Sequence, residues 1–176
     1  MILRDYQQDL LTKTFDAFKA GCRRPLVVAP CGAGKSYIFA ELIRRTRGEA
    51  VILTHRQELK QQHEELLANL GVTNARVAMI MTEANRLGQY ATPALIVTDE
   101  AHLSRSNSWT KVIEYYDTYT AGFTATPCRL DGKPLGRENI EKLSFATSEH
   151  TFFPALTARD HREFYANHFP AFRGKR

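Results

Sequence analysis

The sequence predicts an α/β protein with a mostly parallel central sheet covered by helices on both faces. Three observations point there. Short apolar, β-branched runs alternate with stretches of helical periodicity. A glycine-bearing turn, Ala29–Ser36, stands between the first such run and the helix after it. An acidic pair, Asp99-Glu100, closes a later run. Strands that bury both faces read as continuous apolar runs, and strand–helix alternation is the pattern of a crossover-connected sheet.

The elements follow in order. Leu3, Tyr6, Leu10, Leu11, Phe15 and Phe18 recur at helical spacing, which predicts a helix over Arg4–Lys19 closed at Gly21. Pro25–Ala29 is the first strand, and Lys35–Arg47 the next helix, through Ile38, Phe39, Leu42 and Ile43. Ala50–Thr54 is the second strand. Arg56–Leu70 is a helix whose inward stripe is Leu59, His63, Leu66, Leu67 and Leu70, closed by Gly71. Ala75–Met81 and Ala94–Thr98 are the third and fourth strands. Trp109–Tyr116 is a helix, with Trp109 read as packing, and Tyr119–Thr124 a fifth strand. Beyond Pro127 the pattern dissolves into scattered aromatics and a basic end, with one further helix expected near Arg159–Ala166.

Bulk properties exclude several classes. The 176 residues suffice for one cored domain. Three separated cysteines, Cys22, Cys31 and Cys128, form neither a disulfide framework nor a zinc pattern with the six histidines. The amino-terminal residues lack the basic and apolar regions of a secretory signal, and no apolar run reaches spanning length, so the expected location is the cytoplasm with no membrane partner. A net charge of +5 fits equally a solvated surface and attraction to a polyanion.

Ala29-Pro-Cys-Gly-Ala-Gly-Lys-Ser36 carries the strongest chemical signal. Glycines let backbone N–H groups turn inward around phosphate oxygens, and the following helix N-terminus adds positive potential. Pro30, Cys31, Gly32, Ala33 and Gly34 would form that cradle. Lys35 would reach the β- and γ-phosphates, and the Ser36 hydroxyl would ligate Mg²⁺. The first position is Ala29 where the strict pattern has glycine. Asp99, at the end of a neighbouring strand, would hold the same Mg²⁺, and Glu100 could accept a proton from an attacking water.

The Asp99-Glu-Ala-His102 box resembles the motif of the DEAD/DEAH-box proteins within the superfamily 2 helicases and translocases. Further motifs stand in family order. Leu3-Arg-Asp-Tyr-Gln7 resembles the adenine-sensing glutamine motif, which implies Arg4 and Gln7 at the base, the Gln7 amide matching adenine N6 and N7. Leu53-Thr-His-Arg-Gln-Glu-Leu59 resembles motif Ia, which implies that His55 and Arg56 touch a nucleic-acid backbone. Gly122-Phe-Thr-Ala-Thr-Pro127 resembles motif III, whose hydroxyls, here Thr124 and Thr126, together with His102, would couple the nucleotide to the nucleic-acid track. Met81–Leu87 is similar to a remnant of motif Ib, and Cys128-Arg-Leu-Asp-Gly-Lys133 to the segment after motif III in phage and bacterial helicase-like proteins.

The resemblance covers residues 2 to 136 and implies a P-loop NTPase with a RecA-like three-layer sandwich, using ATP and Mg²⁺. Residues 1–130 are expected to form the ATP-binding domain and 131–176 an irregular extension. Motifs IV to VI and their arginine finger have no counterpart in this sequence. The expected activity is therefore ATP binding and weak hydrolysis without unwinding by this chain alone. The expected partners are nucleic acid, DNA in preference to RNA, and a second chain supplying the other RecA-like lobe. The alternatives are a translocase subunit of a restriction-type complex and a non-catalytic nucleotide- or nucleic-acid-binding remnant. Cys31 is not assigned as a reactive thiol, Tyr6 could pack on the base but fits a core position better, and Arg44, Arg45 and Arg47 read as a solvated helix end.

Overall fold

The computed structural model describes residues 2–99, 107–125 and 144–145. Its elements run α1 (Asp5–Lys19), β1 (Leu26–Val28), α2 (Lys35–Arg45), β2 (Ala50–Thr54), α3 (Gln57–Asn69), β3 (Ala75–Met79), α4 (Ile80–Asn85), β4 (Leu95–Asp99), α5 (Asn107–Tyr116), β5 (Tyr119–Thr124) and β6 (Ser144–Phe145). The strands form one sheet in the order β3-β2-β4-β5-β1-β6. Every pairing is parallel.

Alternation along the strands distributes side chains between two cores, since successive residues face opposite sides. Val27, Ile52 and Val97 pack with Leu10 and Leu11 of α1, Ile38, Phe39, Leu42 and Ile43 of α2 and Leu67 of α3. Val51, Leu53 and Ile96 face the other way, onto Ile80 and Ala84 of α4 and Trp109, Val112 and Tyr116 of α5. The result is the three-layer arrangement expected: α1–α3 on one face, α4 and α5 on the other. Trp109 is core, as read.

One element differs from expectation. The third strand ends at Met79, and Ile80–Asn85 is a helix rather than the last part of a strand reaching Met81. A buried charge cluster explains the turn. Arg76 of β3 clamps Glu83 with two hydrogen bonds of 2.8 and 2.6 Å, and the Tyr116 hydroxyl donates to the same carboxylate at 2.7 Å. Glu83 is 1% exposed, so an extended chain would leave that charge without its partners. Local apolar spacing over six residues is too short to announce such a helix. Of the segment expected to be irregular, residues 144–145 add a strand beside β1. The helix expected near Arg159–Ala166 lies outside the described residues.

Burial by itself would push the Glu83 carboxyl up, but Arg76 and the Tyr116 hydroxyl outweigh it and hold the group below the ordinary carboxylate range. Burial, then the bond to Glu83, pushes Tyr116 up to about 12. A lowered carboxyl stabilises the fold above its unfolded value, and that contribution disappears as pH falls through the folded value. A raised phenol contributes fully below its ordinary value and loses that contribution as pH rises towards 12. Glu83→Ala should therefore cost about 3 kcal/mol near neutrality. Tyr116→Phe should cost about 1–2 kcal/mol. Both penalties, read by chemical denaturation, should shrink in acid, where wild-type Glu83 is itself protonated.

Candidate functional site

A parallel sheet collects its loops at the carboxyl edge, and the candidate residues sit there. The loop after β1 and Asp99 at the end of β4 are separated by one strand, β5, because β1 pairs with β5 and β5 with β4. Two strand spacings make that gap on the order of 10 Å. The Ala29 N–H donates to the Thr124 carbonyl at 3.0 Å, so the start of the phosphate loop is bonded to the end of β5. Thr124 is therefore beside the loop. Glu100, His102 and Thr126 lie outside the described residues.

The loop has the backbone its sequence implies. Gly32 and Gly34 have φ of +80° and +71°, conformations that other residues reach only with strain. Nothing lies within 4 Å of where a Cβ on Gly32 would stand, whereas a Cβ on Gly34 would come within 2.5 Å of Gln7 Nε2. The first glycine keeps the loop's outer side open; the second lets α1 close against it. Lys35 opens α2 and its Nζ donates to the carbonyls of Ala29 and Pro30, at 3.2 and 3.4 Å. These are neutral acceptors, and phosphate oxygens at the same place would give shorter, charge-assisted bonds. An open glycine cradle, an ammonium across its mouth and a hydroxyl at Ser36 on the first turn of α2 fit a nucleotide phosphate chain with Mg²⁺.

Gln7 is the hinge between α1 and the loop. It is 6% exposed. Its Oε1 accepts from the Arg4 N–H at 3.0 Å, and its Nε2 donates to the Ala33 carbonyl at 2.9 Å. A primary amide has two N–H groups and two lone pairs, so one of each remains for a ligand edge. The Tyr6 hydroxyl donates to the same Ala33 carbonyl at 3.0 Å, which places this residue at the site rather than in the core alone. Ile2, Leu3, Arg4, Tyr6, Gln7, Gly32, Gly34 and Tyr37 line a cleft of about 290 Å³. Tyr37 carries no recognisable sequence signal beyond following Ser36.

Asp99 is buried, and its Oδ2 lies 3.0 Å from Nε2 of His63 in the middle of α3. By spacing alone His63 belongs to the apolar stripe of α3. A histidine where the helical pattern calls for leucine was the available signal. At the junction of β2 and α3, the Arg56 guanidinium donates from Nε to His55 Nε2 at 3.1 Å. Arg56 is exposed, while His55 Nδ1 and the Thr54 hydroxyl are buried with no hydrogen-bond partner among the described residues. No group of His, Cys, Asp and Glu side chains suited to hold a metal by itself occurs among the described residues. A Mg²⁺ bound through Ser36 and Asp99 would complete its shell from phosphate and water, as this ion ordinarily does.

The geometry agrees with comparisons to known proteins. The family described as the type III restriction enzyme, res subunit, matches residues 1–89 and 80–129. The chain belongs to this family. It is 31% identical over 170 residues to the putative ATP-dependent helicase IRC3 of Saccharomyces cerevisiae, an alignment covering 76% of this chain and 25% of that protein. It is 30% identical over 151 residues to the putative DNA 3'-5' helicase Rad25 of Halobacterium salinarum, covering 74% and 24%. The crystal structure of the UvsW helicase from bacteriophage T4 shares the fold, with a TM-score of 0.58 at 18% identity over 72% of this chain and 54% of that one. The protein is thus a helicase-type ATP-binding domain with a RecA-like fold. It spans about a quarter of the length of the curated relatives it matches.

The two loop glycines should respond differently to alanine. Gly32→Ala meets only the backbone penalty, about 1–2 kcal/mol. Gly34→Ala adds displacement of the Gln7 amide, so its melting temperature should fall further, and Gln7→Ala in the Gly34→Ala background should recover part of the loss.

Proposed function

We propose that this chain binds ATP with Mg²⁺ at the carboxyl edge of its sheet and hydrolyses it slowly as one half of a nucleic-acid motor. The observation that carries the reading is the pairing of the Gly32–Lys35 cradle with Asp99 across a single strand, with Gln7 bonded to the same loop. In this reading Pro30 to Ser36 grip the phosphates, Lys35 neutralises the β- and γ-oxygens, and the remaining Gln7 donor and acceptor read the adenine edge beside Arg4. Ser36 and Asp99 would hold Mg²⁺, which supplies charge neutralisation between the phosphates when bound. Glu100 would take the proton of the attacking water.

Thr124, Thr126 and His102 would relay the state of the nucleotide, and His55 with Arg56 would meet a nucleic-acid backbone. The exposure of Arg56 at the strand–helix junction supports that last assignment. The likeness to the putative DNA 3'-5' helicase of Halobacterium salinarum favours DNA over RNA. Residues 1–130 would be the working domain, with 131–176 an extension that adds β6 to its sheet. A second RecA-like lobe would supply an arginine finger; such a residue contributes on the order of 10³–10⁵ in rate. Among the described residues no helix is long and apolar enough to cross a membrane.

Calorimetry of the chain with ATP and Mg²⁺ should show one site. Lys35→Ala should weaken binding by about 10–100-fold, the worth of lost hydrogen bonds to a charged group. Turnover should stay below about 1 s⁻¹, the low end of ordinary enzyme rates, with or without DNA. Strand separation by the isolated chain, stimulated by nucleic acid, would overturn the assignment to a half motor.

A further inference from the structure

The function proposed above gives no role to His63, a buried polar side chain in contact with Asp99. His63 projects from the centre of α3 onto the face of β4 that carries Leu95, Val97 and Asp99, alternate residues of one strand. Its side chain is 4% exposed and that of Asp99 11%. The ring is not free to turn. It packs edge-on against Phe39 of α2, with centroids 5.1 Å apart and planes at 84°, and Phe39 packs in turn against Phe123 of β5 at 5.5 Å. Two aromatic contacts in series thus fix the imidazole, and the imidazole fixes one oxygen of Asp99.

His63 Nε2 lies within hydrogen-bond distance of Oδ2, and opposite an ionised carboxylate, which only accepts, the imidazole would be the donor. Packing alone does not call for a histidine here: Leu67, one turn further along α3, is an apolar residue buried in the same core. What the histidine supplies that leucine cannot is a directional donor aimed at a carboxylate. Hydrogen bonds of this kind, to a group that ligates a metal, set its orientation and commonly govern metal affinity by 10–100-fold.

We propose that His63 is the positioning residue of the magnesium carboxylate: anchored by Phe39, it holds Asp99 in the one rotation in which the carboxylate meets Mg²⁺ beside the phosphate loop. This rests on the ATP·Mg²⁺ reading of the site. It makes α3, the helix that follows the Arg56 junction, the support of the metal site as well.

The test uses the full chain and a fluorescent ATP analogue, titrated with Mg²⁺ after binding in EDTA. His63→Phe keeps a ring against Phe39 and removes the donor. It should bind the analogue in EDTA within about twofold of wild type, yet need about 10-fold or more Mg²⁺ to reach the half-point of tightening. His63→Gln, which restores an N–H at comparable reach, should recover most of the loss. An equal Mg²⁺ half-point in wild type and His63→Phe would overturn the proposal while leaving the nucleotide reading intact. Wild-type protein that binds no analogue, or ignores Mg²⁺, would sink the nucleotide reading and this proposal with it. Should His63→Phe fail to fold, His63→Leu takes its place in the same titration, with the same rise in the Mg²⁺ half-point expected and an unchanged half-point overturning the proposal.

Discussion

Burial of a parallel sheet on both faces is the constraint from which the rest of this protein follows. With α1, α2 and α3 against one side and α4 and α5 against the other, the strand interiors accept little but aliphatic side chains. Polar groups are tolerated where a strand ends and a loop begins, because there the backbone can turn and water or a ligand can reach them. Ala29, Asp99 and Thr124 all occupy such ends, and parallel pairing brings the three ends to the same edge.

The amino-terminal helix completes what the sheet begins. α1 packs on α2 through Leu10 and Leu11 and places Gln7 and Tyr6 on the Ala33 carbonyl. Gly34 is required twice over, for its left-handed backbone and for the absence of a side chain where the Gln7 amide lies. The same few atoms therefore serve packing of the helix and shaping of the cleft. A loop held in this way is preorganised before a phosphate arrives, which saves ordering free energy on binding.

At the far end of the sheet a different device is used. β3 is the edge strand of the described sheet, and its Arg76 is tied to Glu49, Glu83 and the ring of Tyr90. That cluster fastens the short helix α4 to α5 and covers an otherwise unpaired edge. It lies away from the phosphate loop and acts on stability, while the His63–Asp99 contact lies at the site. Two buried polar pairs in one domain thus differ in purpose according to what else their carboxylates can meet.

Much of this was written in the local sequence. Apolar runs and helical stripes set the five principal strands and four of the helices, because 2.0- and 3.6-residue periods are properties of the backbone. The glycine turn after β1 and the place of Asp99 at the end of β4 were legible for a similar reason: both are marked by residue types at fixed short spacing from an apolar run. The helix α4 was not legible, since it exists to satisfy Glu83 through Arg76, seven residues away, and Tyr116, thirty-three away. Nor were the role of Tyr6 at the loop and the partner of Asp99. Residues 7 and 33, or 63 and 99, carry no local pattern that links them. Only the folded chain, by packing α1 and α3 against the carboxyl edge of the sheet, decides that those side chains meet.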